Sequence, residues 1–136
     1  MLRARQAAED NAAMQVAQAR RELSEAERAS DEQRARLDAL SLPEHGSIHT
    51  FLHGIAKGSA AAATHAAAQH RVGFAKGRLD TSMGQLNLAA QQRKSVQKLS
   101  ERIAAEAHAT ELISAQRILD DVTTSRFTRA AEAGRS

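Results

Sequence analysis

Small and large apolar residues in the first third of the chain recur at alternating steps of three and four. Leu2, Ala12, Val16, Ala19, Leu23, Ala26, Leu37 and Leu40 keep this spacing, the signature of a coiled-coil seam. Ser30 and Gln33 fall on the same seam and weaken its middle. The pattern predicts one helix over residues 2–41. Flanking pairs such as Arg28 with Glu32 and Glu32 with Arg36 stand four residues apart. They mark a solvated face and add only a few tenths of a kcal/mol each.

The strongest break follows, in Ser41-Leu42-Pro43-Glu44-His45-Gly46-Ser47. Pro43 disfavours helix at Leu42 and cannot sit inside a regular helix, while Gly46 permits a turn. Ser47 is placed to cap a new helix beginning at Ile48. The expected organisation is therefore a helix over 2–41, a turn at 42–47 and a helix over 48–131, forming a single helical unit. Two long helices with apolar stripes and a short connection fold back antiparallel. At ~1.5 Å per residue the first arm spans roughly 60 Å.

The second helical stretch is uneven. Ile48, Phe51, Leu52 and Ile55 cluster just past the turn, and then come Gly58-Ser59 and a run of alanines up to Ala68. Glycines at 54, 58, 73, 77 and 84 each cost ~1 kcal/mol relative to alanine inside a helix. Two outcomes are open: a break within 56–77, or small residues that let a second helix approach closely. Beyond it a seam is expected through Leu79, Met83, Leu86, Ala90, Val96, Leu99, Ile103, Thr110, Ile113 and Val122. Its phase slips between Leu86 and Val96 and again near Leu112 and Ile118, which unwinds or overwinds a coiled coil.

With the turn at 42–47, the first arm pairs with roughly residues 48–87 and leaves about 45 residues of the second helix without an intramolecular partner. That segment still carries Val96, Leu99, Ile103, Leu112, Ile113, Leu119 and Val122. A lone amphipathic helix is marginal in water and packs where it can, so this overhang is expected to bind a partner. The competing arrangement puts the turn at Gly73–Gly77 and makes a self-satisfied hairpin of equal arms.

Composition supports a helical, non-globular chain. Of 136 residues, 30 are alanine, whereas only Phe51, Phe74 and Phe127 are aromatic. Aromatic side chains dominate the buried area of ordinary cores; high Ala, Glu, Arg, Gln and Leu is the composition of long helices. The absence of cysteine excludes disulfides, thiolate nucleophiles and thiolate metal sites. No stretch approaches the ~20 apolar residues of a membrane-spanning helix, and the N-terminus lacks the apolar core of a secretory signal. A soluble, cytoplasmic protein is expected. The net charge is +3, yet residues 1–41 carry seven basic against eight acidic groups and residues 92–136 carry eight against six. Nucleic-acid binders instead concentrate Lys and Arg on one face or in one block.

Catalytic chemistry finds no footing. The glycines at 73–77 lack the Lys-Ser/Thr ending of a phosphate-binding loop. His45, His49 and His53 recur every four residues, a spacing that can hold a metal, but the intervening Glu of a metalloprotease helix is missing. Solvated histidines are the simpler reading, and neither cofactor nor metal is expected. Glu101, Glu106, Glu111, Asp120 and Asp121 read as solvated helix charges.

Three segments carry a resemblance. Arg93, Lys94, Leu99, Glu101 and Arg102 give R-K-x-x-x-x-L-x-E-R, followed by Ala115–Val122 as A-Q-R-I-L-D-D-V. The chain opens on Leu2-Arg3-x-Arg5-Gln6-x-x-Glu9-Asp10-x-Ala12, and past the turn reads His49-Thr50-Phe51-Leu52-x-x-Ile55. Together these resemble the flagellar export protein FliJ family over nearly the whole chain. The tail is the most specific of the three. Asp121 stands where the family often has Glu, and the stretch from Ala60 to Gly77 is smaller and less charged than usual.

The resemblance implies an antiparallel helical hairpin similar to the gamma subunit of rotary ATPases, and a non-enzymatic part of the flagellar type III export apparatus. Its implied partners are the export ATPase FliI, the export gate protein FlhA and export chaperones, at the cytoplasmic face of the basal body. Leu112, Leu119, Asp120, Val122, Arg126 and Phe127 are the expected ATPase contacts. Leu37, Leu40, Phe51, Leu52 and Ile55 are the expected gate contacts, unless Phe51 and Ile55 cap the hairpin core instead. The stalk of a virulence-type injectisome and a dimerising coiled-coil scaffold remain alternatives.

Overall fold

A computed structural model describes residues 1–135, Arg135 only as the end of its helix. It holds two helices, α1 (Leu2–Ala39) and α2 (Ile48–Arg135), with no strand among the described residues. The fold is an all-α antiparallel hairpin with the longer helix second. Two compact units divide it: residues 3–93 together with Met1 form the hairpin, and the chain from Lys94 onward together with Leu2 forms the other.

α1 stops short of residue 41. The N–H of Leu40 donates to the Leu37 carbonyl at 3.2 Å, a tightened last turn, and Leu40 itself is extended (φ −74, ψ 133). Pro43 demands an extended residue before it, and the chain meets that demand by leaving the helix early. Gly46 has φ +139, a conformation that side chains resist, and it lets the chain turn into α2. Ser47 then caps α2 as its sequence predicts. The Ser47 Oγ accepts from the Thr50 N–H at 3.2 Å and lies 3.1 Å from the Thr50 hydroxyl, while the Phe51 N–H donates to the Ser47 carbonyl.

No break occurs within 56–77 and no turn forms at Gly73–Gly77, because α2 is helical throughout. Of the two outcomes left open, the helix runs on unbroken and sets small residues at its inward positions. The inward positions of α1 are Glu9, Ala12, Val16, Ala19, Leu23, Ala26, Ser30, Gln33, Leu37 and Leu40. Those of α2 in the same unit are Gly54, Gly58, Ala61, His65, Ala68, Val72, Ala75, Leu79, Ser82, Leu86, Ala89 and Arg93. Both sets keep strict three-four alternation, so α2 carries no phase slip in this region. Met83 does not face α1: it is 41% exposed and Ser82 takes the inward place. The most buried side chains are all small, namely Ala12, Val16, Ala19, Ala68 and Ala75. Where both seams offer methyl groups, many small dispersion contacts take the place of a few large interdigitating side chains.

The pairing also differs from a simple fold-back at the turn. Arg5 Nη1 donates to Gln92 Oε1 at 2.9 Å, Arg93 pairs with Glu9, and Arg78 Nη1 lies 2.8 Å from Glu22 Oε2. Accordingly, within the first unit, α1 lies against α2 from Gly58 to Arg93 rather than against 48–87. The reason is the connection. Extended chain advances about 3.3 Å per residue against 1.5 Å for helix, so Leu40–Ser47 covers the first turns of α2. Gly54 is the point of contact: a Cβ built there would lie 3.3 Å from Pro43 Cδ and 3.5 Å from Leu42 Cδ2.

Two substitutions test the seam. Ala68→Leu should overpack it and cost about 1–3 kcal/mol, whereas Met83→Ala should stay within ~0.5 kcal/mol of the parent. Urea unfolding followed by circular dichroism reads both.

Candidate partner-binding surfaces

Helical geometry sorts the residues of the second unit by face. From Lys98 to Gly134 every described side chain is exposed, including large apolar ones: Leu99, Ile103, Leu112, Ile113, Ile118, Leu119, Val122 and Phe127. They do not form one stripe. Leu99 and Ile103 share a face, but Leu112 stands nine residues after Ile103, about two and a half turns, and so looks the opposite way. From there Leu112, Ala115, Leu119, Val122 and Arg126 follow a fresh three-four spacing. The single seam expected from Leu79 to Val122 is thus two rows on opposite sides of one helix. Positions that would prolong the hairpin seam past Ile103 are Ala107, Thr110, Ser114 and Arg117, too polar to carry it.

Four of the six residues predicted for the tail surface therefore lie in one row: Leu112, Leu119, Val122 and Arg126. Asp120 and Phe127 are seven residues apart and share the adjacent face, with Phe127 76% exposed. The Asp120 carboxylate accepts from Gln116 Nε2 at 3.1 Å, one turn away. This arrangement offers an apolar strip edged by one carboxylate and one guanidinium.

At the closed end of the hairpin, the five predicted residues separate into two groups. Leu37 and Leu40 take inward seam positions and are half-buried. Phe51, Leu52 and Ile55 are exposed on α2, as are Ile48 and, in the connection, Leu42. Because the inward positions here are Gly54 and Gly58, the large side chains of these turns are left outside. Leu42 is a surface residue that periodicity missed. The signal was its place before Pro43, which forces it off a helical face. Phe74, also missed and 70% exposed, precedes the inward Ala75.

Among the described residues no group of three or more histidines and carboxylates could hold a metal. The clefts are shallow: one lies in the connection beside Phe51, others along the groove between the helices near Phe74 and near Val72. No helix among the described residues is long and apolar enough to cross a membrane.

The fold places the chain in the class of antiparallel coiled-coil hairpins, with apolar rows left exposed on the longer helix. A family model described as the flagellar FliJ protein matches residues 1–132. The chain belongs to the FliJ family, whose role is in flagellar protein export. No curated protein and no solved structure matches it.

Because the tail rows are solvent-facing, Leu112→Ser with Leu119→Ser should leave the unfolding midpoint of the hairpin unchanged, within ~0.5 kcal/mol. A larger loss, measured by thermal unfolding, would mean these leucines support the fold rather than a partner.

Proposed function

We propose that the protein is a stalk of the flagellar export apparatus that binds the ring of the export ATPase FliI and links it to the export gate protein FlhA. The observation that carries this reading is the exposed row Leu112–Ala115–Leu119–Val122 in a chain of this family. A helix inside a ring needs apolar side chains on more than one side, and the rows of Leu99–Ile103 and Leu112–Val122 supply two. The tail contacts the ATPase through Leu112, Leu119, Val122 and Arg126, with Asp120 and Phe127 on the neighbouring face. Bound there, the helix adds buried surface to the assembled ring alone. By linkage it shifts the ATPase toward the hexamer without performing chemistry itself.

The gate contact falls to the exposed residues at the closed end, Phe51, Leu52 and Ile55; Leu37 and Leu40 act behind them by holding α1 in place. Export chaperones are further partners on this reading, and the protein works at the cytoplasmic face of the basal body as a peripheral component. It neither inserts into the membrane nor binds nucleic acid. The flagellar description of the matching family favours this system over an injectisome.

The test is the turnover rate and oligomer size of the cognate ATPase. The parent protein should stimulate turnover and promote ring assembly; Leu112→Ser with Leu119→Ser should lose most of both. Phe51→Ala with Ile55→Ala should weaken gate binding about tenfold or more, given about 1–2 kcal/mol per truncated contact, and leave ATPase stimulation intact. A parent that dimerises and leaves the ATPase unaffected would make it a scaffold instead.

A further inference from the structure

One atom inside the hairpin is out of keeping with its surroundings. His65 takes an inward position of α2 and is half-buried, and its Nδ1 is buried without a hydrogen-bond partner. Among the described residues it is the single side-chain atom in that state. Its seam neighbours along α2 are Gly58, Ala61, Ala68 and Val72, none of which carries a side-chain donor or acceptor. Alanine would continue the seam here without the penalty of a buried polar atom left unpaired. The ion pairs show what stands opposite. Glu22 is bonded to Arg78. Thirteen residues further along α1, and thirteen back along α2, His65 faces the space between the inward Gln33 and Leu37. Ser30, Gln69 and Val72 line one cleft, which gives the same alignment. An imidazole nitrogen donates or accepts according to its tautomer, and a carboxamide offers both, so Gln33 matches either form.

We infer that Gln33 and His65 form a polar layer that selects the alignment of the two helices. A polar seam residue costs stability and specifies register, because other alignments strand it among apolar groups. Both heptad slips do so here. In one, Gln33 comes between Val72 and Ala75, and His65 finds only the short Ser30 hydroxyl. In the other, Gln33 comes between Gly58 and Ala61, and His65 passes the end of α1 near Leu40.

The rest of the seam leaves this task open. Its most buried residues, Ala12, Val16, Ala19, Ala68 and Ala75, are all small and distinguish one layer poorly from the next. The Glu22–Arg78 pair is partly exposed and the Arg5–Gln92 bond is exposed, and such surface contacts contribute little. A desolvated imidazole discriminates more sharply, because its penalty in a wrong layer is not relieved by water. It acts together with the contacts at the two ends of the hairpin.

The chain has no cysteine, so two introduced ones can carry spin labels on the full-length protein. Arg28→Cys and Gln85→Cys use exposed positions. Gln85 shares a cleft with Gln15, thirteen residues before Arg28, so the labels are offset by about 20 Å along the axis. A slip of one heptad changes that offset by about 10 Å. With the layer intact, electron paramagnetic resonance should read one narrow distance. Gln33→Leu with His65→Leu should raise the thermal midpoint and add a second population whose axial offset differs by about 10 Å. Gln33→His with His65→Gln exchanges the partners, keeps the layer polar and should hold the single distance. A leucine pair that keeps the single distance would overturn the proposal, since the ends would then suffice to set the alignment. A lower midpoint for the leucine pair would overturn it as well, because the layer would then support the fold rather than select it. So would a split distance in the exchanged variant.

Discussion

Close packing of methyl-sized side chains between two antiparallel helices is the constraint on which the rest of this molecule depends. Ala12, Val16 and Ala19 on α1 and Ala68 and Ala75 on α2 are its most buried residues. Each removes little apolar area from water, so the stability of the hairpin is distributed along many layers rather than concentrated in a few large side chains. Two further consequences follow from the small seam. Apart from the seam leucines such as Leu23, Leu79 and Leu86, most large apolar side chains stand on outward faces, where they are free to meet other proteins. The glycines of α2, costly in an isolated helix, are tolerated because alanine-rich neighbours and the pairing with α1 hold the helix together.

How much of this was legible in the sequence varied with the size of the side chains. On α1 the seam was readable from its leucines and Val16, and Ser30 and Gln33 were correctly placed on it. The cap at Ser47 was equally clear, since Ser after Gly before an apolar turn has one common use. On α2 the inward row is written in Gly58, Ala61, Ala68, Ala75, Ser82 and Ala89, residues that carry almost no hydropathy signal. A reading that follows large apolar residues picks Met83 and slips out of phase. Pairing could not be read at all from the position of Pro43, because it depends on how far the extended connection climbs along α2.

The candidate surfaces follow the same logic. Leu112, Leu119 and Val122 were legible as apolar residues of the tail, but the expected seam ran through Ile113, and their alignment in one row opposite Ile103 needed the helix phase to be established. Leu37 and Phe51 look equivalent in composition, yet one is a seam residue and the other is solvent-facing. The family match spans residues 1–132, and the physical division into a paired hairpin and an exposed tail is what the proposed assignment of partners rests on.

One feature of the hairpin reaches into how such chains can change length. Because the middle of the seam is filled largely by small residues, neighbouring alignments of α1 and α2 are poorly distinguished there. Their relative position is held by the Pro43–Gly54 contact at one end and by Glu9–Arg93 and Arg5–Gln92 at the other. An insertion in a single arm would throw those ends out of step. Growth or shortening by seven residues in both arms at once returns every inward position to its place, so heptad-sized changes in matched pairs are the tolerated currency of variation in this hairpin.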